Sequence, residues 1–405
     1  MKVWIKLLIG SLLGLTLGFL IPENQRLTEA LVWLEQFVIR IGRFALIPVL
    51  VFSLTIAIFQ LRQDGRLWFF VLKNLLLIAG ASAFVITIGV LASFAFPLSR
   101  IPIAFDGQAE AIGLDIAENI SALFPYNMFN ILSGDGVYLL PFSVFAFFLA
   151  IGLSYDRNYS KPIVVLVDAL SRVFYHIAAF FVEIIGFIII VLSAYWAIRF
   201  RSALQMEVFL NLIILLGALA LLLAFGIFPL FLYLLRPKVN PWKVLRGSLG
   251  PAIAAFFSGD INFTLPVMMR HFNESLGIRR RAGAVSLTLF GTFCRAGSAM
   301  VAAVAFIIIV RSNSPLGITP AEIVSICLHA FGVSFLLARH PGNGAFIALA
   351  ALCIGYGRGF ESNYLILQPI AFYLIAVGTF LDITVASFAS FVSARISGFV
   401  DEKKV

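Results

Sequence analysis

Apolar runs of bilayer length recur along the whole chain, and two of them are interrupted at mid-length by charged and helix-breaking residues. About 20 apolar residues are what a helix needs to cross a hydrocarbon core about 30 Å thick. The runs predict spans over 3–22, 31–60 with Pro48 inside, 67–97, 135–155, 163–198, 206–235, 284–310 and 364–399. They are continuous and do not alternate with period two, which excludes an outer-membrane β-barrel. A shorter apolar piece over 121–133, containing Pro125, has the length of an interfacial or half-depth helix.

The interrupted stretches run from Gly247 to Ile278 and from Ala321 to Tyr356. The first carries Ser258-Gly259-Asp260-Ile261-Asn262 at its middle, followed by Pro266, and a proline near a fresh helix start gives up an N–H that is unneeded there. The second carries Ala338-Arg339-His340-Pro341-Gly342-Asn343-Gly344. Lipid cannot satisfy the backbone groups freed at such breaks, so they need cover from protein or from a water-filled cavity. Arg246 before the first stretch and Arg279 to Arg281 after it both read as cytoplasmic, so this stretch enters and returns on one face. Hairpin, span, hairpin, span is an internal repeat, and the sidedness of the hairpins makes it inverted. Transporters built this way hold their substrate near the midplane.

Composition agrees with the pattern: 61% of residues are hydrophobic, 12% are charged and the mean hydropathy is +1.03. The 405 residues form an integral membrane protein with little room for a soluble domain. The net charge of +9 follows from sidedness. Lys2, Lys6, Arg62, Arg66, Arg157, Lys161, Arg236, Lys238, Lys243, Arg246, Lys403 and Lys404 fall on one side if both termini are cytoplasmic. The segment with Asp106, Glu110, Asp115 and Glu118 then falls outside. The expected location is the inner (plasma) membrane, multi-pass, in contact with the lipid bilayer. Nucleic acid is excluded as a partner because no basic run continues into a soluble domain with stacking aromatics. Residues 1–22 have the charged start and apolar core of a signal peptide without its small-residue cleavage site, and read as an uncleaved first helix. Cys294, Cys327 and Cys353 are odd in number and lack C-x-x-C spacing, which fits buried small hydrophobes and suggests neither a disulfide framework nor a zinc site. No phosphate loop, nucleophile elbow or catalytic dyad is present, so no enzyme activity and no cofactor is expected.

Several motifs, in order, resemble one family. Phe124-Pro125-Tyr126-Asn127 is similar to an Ile-Pro-Ser-Asn element, Thr264 to Arg270 followed by Leu276-Gly277-Ile278 to the end of a first hairpin, and Pro341-Gly342-Asn343-Gly344-Ala345 to the Pro-Gly-x-Gly of a second. The chain resembles the dicarboxylate and amino acid:cation symporters, the glutamate transporter homologues. The resemblance implies an all-α polytopic fold of eight transmembrane helices and two re-entrant hairpins, assembled as a homotrimer. It implies a scaffold over 1–66 (helices 1 and 2) and 99–203 (helices 4 and 5). It implies a transport domain over 67–98 (helix 3) and 204–405 (helix 6, both hairpins, helices 7 and 8) that moves like an elevator, with the second hairpin as gate.

The departures bear on chemistry. Asn-Met-Asp-Gly-Thr of the family's seventh helix reads Cys294-Arg295-Ala296-Gly297-Ser298 here. In the last helix one aspartate is kept as Asp382, while the family's substrate arginine, asparagine and terminal aspartate fall on Val385, Ala389 and Ser393. The carboxylates of the family's sodium sites have thus become Ala296 and Ser393. A hard cation needs several oxygen ligands, some preferably anionic. The sodium sites are therefore expected to be lost, with the fixed guanidinium of Arg295 in place of a bound cation. Arg295 either holds a carboxylate of the solute or pairs with Asp382 or Asp260. Asp382 is expected to meet an amine.

Arg339 and His340 at the gate tip are expected to contact an anion, or else to face external water, and His340 is a candidate for proton coupling. Glu183, mid-span in the fifth helix, is expected to make a structural hydrogen bond or a trimer contact. The substrate set is therefore Asp260, Ile261, Asn262, Arg295, Ser298, Arg339, His340, Pro341, Gly342 and Asp382, with no metal ligands. The favoured function is a secondary transporter of a small organic anion or amino acid, not coupled to sodium. The alternatives are an anion channel and a transport-incompetent sensor or partner subunit on the same fold.

Overall fold

Apolar residues with few polar backbone partners leave the chain one means of satisfying its amides inside lipid, and nearly every described element is a helix. The computed structural model describes residues 2–21, 25–96, 101, 114, 116–133, 137–235, 239–313, 318–357 and 359–401. Asp106, Glu110, Asp115, Arg236, Lys238, Lys403 and Lys404 lie outside them. The helices in order are α1 (Val3–Leu20), α2 (Gln25–Phe44), α3 (Leu46–Gln63), α4 (Leu67–Ala95), α5 (Ile116–Ser121), α6 (Met128–Ser133), α7 (Leu140–Tyr155) and α8 (Arg157–Leu204). There follow α9 (Leu210–Leu221), α10 (Phe228–Leu235), α11 (Pro241–Ser258), α12 (Ile261–Glu274), α13 (Arg280–Phe293), α14 (Ala296–Asn313), α15 (Pro320–Leu336), α16 (Gly344–Tyr356) and α17 (Ala371–Ile396).

Among the described residues, eight helical stretches are long and apolar enough to cross a membrane. One of them, Pro320–Arg339, is the first arm of the second hairpin, while α7, in the run expected over 135–155, qualifies only as a shorter apolar helix, Leu140–Tyr155. Several expected spans differ in detail. The run over 31–60 bends at Ala45, where α2 gives way to α3. The run over 163–198 is part of the 48-residue α8, about 72 Å at 1.5 Å per residue and far longer than the bilayer core. A π-helical turn, Leu222–Ile227, separates α9 from α10. The span expected over 284–310 is two half-helices, α13 and α14, that break at Cys294 and Arg295.

Close packing follows small residues. Gly10, Gly14 and Gly18 put one face of α1 against α8, and a β-carbon at Gly10 would lie 2.6 Å from Ile189 and one at Gly18 2.7 Å from Ala197. This is the small-xxx-small spacing by which membrane helices approach without a hydrophobic driving force.

Both hairpins close on themselves. At the foot of the first, Leu276 packs against Gly247 and His271 against Gly250. At the foot of the second, the Tyr356 hydroxyl donates to Glu322 at 3.1 Å, while Thr319 and Glu322 form a capping box before Pro320. The foot of hairpin 1 shares its end of the molecule with the C-terminal end of α17: Arg279 N–H donates to the Phe399 carbonyl at 2.9 Å, and Arg281 pairs with Asp64 at 2.6 Å. At the opposite end Arg311, in the last turn of α14, donates to the Ser93 carbonyl at 2.8 Å.

Candidate functional site

Three pairs of half-helices meet in the interior, with breaks at Gly259–Asp260, Cys294–Arg295 and His340–Asn343. Gly259 and Asn343 adopt left-handed conformations, φ +61° and +59°, which end α11 and launch α16. Asn tolerates that region because its short polar side chain bonds locally. The tips touch: Ile261 N–H donates to the Pro341 carbonyl at 3.0 Å, and Asp260 and Gly342 form an antiparallel bridge. A β-carbon on Gly342 would stand 3.2 Å from Asp260 Oδ2, so the tips pack tightly at this glycine.

Glycines also draw the third break into the centre. A β-carbon on Gly297 would lie 2.6 Å from the Gly378 carbonyl and 2.8 Å from Asp382 N, and one on Gly344 3.1 Å from Ser298 Oγ. The N-terminus of α14 is thus pressed against the middle of α17, where Asp382 caps it. Asp382 Oδ1 accepts from the amides of Gly297 at 2.7 Å and Ser298 at 3.0 Å, and Oδ2 accepts from Ser298 Oγ at 2.6 Å. A carboxylate at a helix N-terminus satisfies orphan amides and complements the helix dipole.

Arg295 is the largest fully buried side chain among the described residues, 1% exposed, beside an Asp382 that is 0% exposed. Its Nη2 donates to the carbonyls of Leu337, at 3.4 Å, and His340, which end the first arm of hairpin 2. Its Nη1 lies 3.7 Å from Asp382 Oδ2, an ion pair without a hydrogen bond. Nε and Nη1 have no hydrogen-bond acceptor among the described residues. The guanidinium therefore holds two carbonyl oxygens and faces a carboxylate, oxygen donors of the type a hard cation selects.

Asp260 makes contacts that the sequence did not announce. Besides capping α12 through the Phe263 amide at 2.8 Å, it accepts from Arg43 at the end of α2, with Nε–Oδ1 3.3 Å and a closer Nη2–Oδ2 contact. Arg43 is one of several cations on a strongly amphipathic helix, and nothing in its spacing distinguishes it from them. Asn262 Nδ2 donates to the Val137 carbonyl at 2.8 Å. Arg339 pairs with Glu118 at 2.7 Å, both partly exposed, while neighbouring His340 offers its carbonyl to Arg295.

Of the proposed substrate set, the structure brings together Asp260, Ile261, Pro341 and Gly342 at the joined tips and Arg295, Ser298 and Asp382 behind them, with His340 linked by its carbonyl. Asn262 and Arg339 contact the loop before α7 and helix α5. Val385 and Ala389 line an apolar cavity of 320 Å³ with Leu76, Phe84 and Phe231, and Ser393 is buried. Glu183 pairs with Lys6 and with Arg270, the latter at 2.6 Å, so it is a structural tie between α1, α8 and hairpin 1.

The model of the sodium:dicarboxylate symporter family matches residues 3–396. The proton/sodium-glutamate symport protein of Bacillus subtilis (strain 168) is 21% identical over 364 residues, 86% of this chain and 82% of that protein. Neutral amino acid transporter A of Homo sapiens is 29% identical over 131 residues, 32% of this chain and 24% of that one. Excitatory amino acid transporter 4 of Mus musculus is 29% identical over 157 residues, 39% of this chain and 26% of that one. The match thus spans about a quarter of these animal relatives and most of the bacterial one. Fold, paired hairpins and family match agree over nearly the whole chain, which belongs to the sodium:dicarboxylate symporter family.

Proposed function

We propose that the chain is a secondary transporter of a small carboxylate-bearing solute, an amino acid or a dicarboxylate, held between the two hairpin tips, and that sodium does not drive it. The observation that carries this reading is Arg295: one nitrogen fastens it to the carbonyls of hairpin 2, and its Nε and Nη1 have no acceptors among the described residues in a fully buried position. Buried guanidinium donors left in this way are costly unless a ligand completes them, and a carboxylate fits their fork geometry. Joined tips with Asp260, Arg295 and Asp382 all buried describe a closed state. Opening hairpin 2 breaks the Ile261–Pro341 and Arg295–His340 contacts and exposes those donors.

Charge placement supports the absence of sodium coupling. A cation at the carbonyls of Leu337 and His340 would stand beside a permanent guanidinium. The elevator movement of 67–98 and 204–405 against 1–66 and 99–203, the homotrimer, the plasma-membrane location and the cytoplasmic termini belong to this same proposal. So does any proton coupling through His340.

A transport-incompetent sensor or partner subunit is the second reading. Asp382 favours it, because both carboxylate oxygens are committed to α14 and the expected amine contact has no free oxygen in this state. Exchange of labelled glutamate, aspartate, succinate and neutral amino acids in proteoliposomes separates the readings. Saturable exchange of at least one of them supports the carrier. Chloride current without exchange assigns an anion channel, and silence in both assays assigns the non-transporting subunit.

A further inference from the structure

Away from the hairpin tips, at the foot of hairpin 1, basic residues outnumber acidic ones around a cavity. A cavity of 740 Å³ opens there between the start of α1 and the two arms of the hairpin, lined by Lys2, Trp4, Lys243, Arg246, Arg270 and Glu274 among others. Arg270 is already spoken for: it pairs with Glu183 at 2.6 Å and Glu274 at 3.0 Å and donates to the Ala179 carbonyl at 3.1 Å. Lys2 and Arg246 have no carboxylate partner among the described residues, and both are exposed. They leave two such cations, beside Lys243, around one opening whose acidic wall residue, Glu274, is committed to Arg270.

We propose that this cavity binds the phosphate group of an anionic lipid headgroup. The size excludes a bare ion as a good fit, since a single water has a share of about 30 Å³ in the liquid. The position favours lipid. Trp4 lines the cavity and Trp242, 55% exposed, stands beside Lys243. Indole rings next to basic residues at helix ends mark the headgroup level of a bilayer, and basic pockets between transmembrane helices on one leaflet take anionic headgroups. A headgroup seated here bridges Lys2, just before α1, and Arg246 of α11. The inference is independent of the solute carried and of the coupling ion.

The test uses the full chain, purified in zwitterionic detergent. Its thermal midpoint is followed during titration with short-chain phosphatidylglycerol, short-chain phosphatidylcholine and inorganic phosphate, and retained lipid is counted by native mass spectrometry. Phosphatidylglycerol is expected to raise the midpoint and phosphatidylcholine to leave it unchanged. The Lys2→Ala/Arg246→Ala variant is expected to weaken the apparent affinity about 30-fold, at about fivefold per cation. The Arg62→Ala/Arg66→Ala variant removes the same charge outside the cavity and is expected to bind as the wild type does. Equal weakening in both variants, or equal stabilisation by phosphatidylcholine, overturns the proposal. Stabilisation by inorganic phosphate at matching concentration, lost in Lys2→Ala/Arg246→Ala, overturns the lipid source and assigns the site to soluble phosphate.

Discussion

Arg295 draws several interior contacts into one side chain. It ties the end of one hairpin arm, faces Asp382 at 3.7 Å and is itself withdrawn from solvent. Removing one partner of a buried pair leaves the other charge uncompensated, at a cost of about 3–5 kcal/mol. Arg295→Ala is therefore expected to lower the denaturation midpoint strongly. Arg295→Lys keeps the charge without the planar fork and is expected to fall between that variant and the wild type. Stability of Arg295→Ala equal to wild type would show that the guanidinium carries none of this load. Gly297 makes a second, steric test, because alanine there would meet backbone atoms of Gly378 and Asp382 at 2.6 and 2.8 Å. Overpacking of this kind costs about 1–3 kcal/mol, to be read in the same melts. The resemblance made Arg295 and Asp382 legible as candidates, because they stand at motif positions of the family's seventh and last helices, and a guanidinium at membrane depth demands a partner. It left open which partner each takes, since that depends on how closely α14 and α17 approach.

At the scale of elements, the two hairpins were readable because Asp260 and Arg339-His340-Pro341-Gly342 break apolar periodicity with residues that lipid excludes. The break between α13 and α14 was not. The run over 284–310 is apolar on both sides of Cys294 and Arg295, and the helix opens there because Asp382 and the hairpin 2 carbonyls supply the partners that its own turns would otherwise provide. The bend at Ala45 and the reach of Arg43 to Asp260 were equally hidden, for they are set by the packing of α2 on α12, where Gly42 lies against Phe263. The Arg43–Asp260 pair joins these two elements. A double-mutant cycle on Arg43→Ala and Asp260→Asn is expected to give a coupling of about 1–3 kcal/mol in unfolding, as for residues sharing one ion pair. Either single variant is expected to speed amide hydrogen exchange over residues 258–262. Additive effects with unchanged exchange would show that α2 does not hold the tip.

For the whole molecule, the inverted hairpins, the family match over 3–396 and the buried charged centre form one picture. The fold was legible because hydropathy and helix breaks are local properties. The site was legible only as a set of residues, because its geometry arises where three broken helices converge. Within that geometry a guanidinium holds carbonyl oxygens that would otherwise suit a hard cation, and on this the proposed sodium independence rests. Uptake of a labelled solute into proteoliposomes, with sodium replaced by choline on both sides, measures it directly. The account predicts rates within about twofold of each other in the two salts, a difference worth less than about 0.5 kcal/mol. Uptake that collapses in choline and returns with sodium would contradict it.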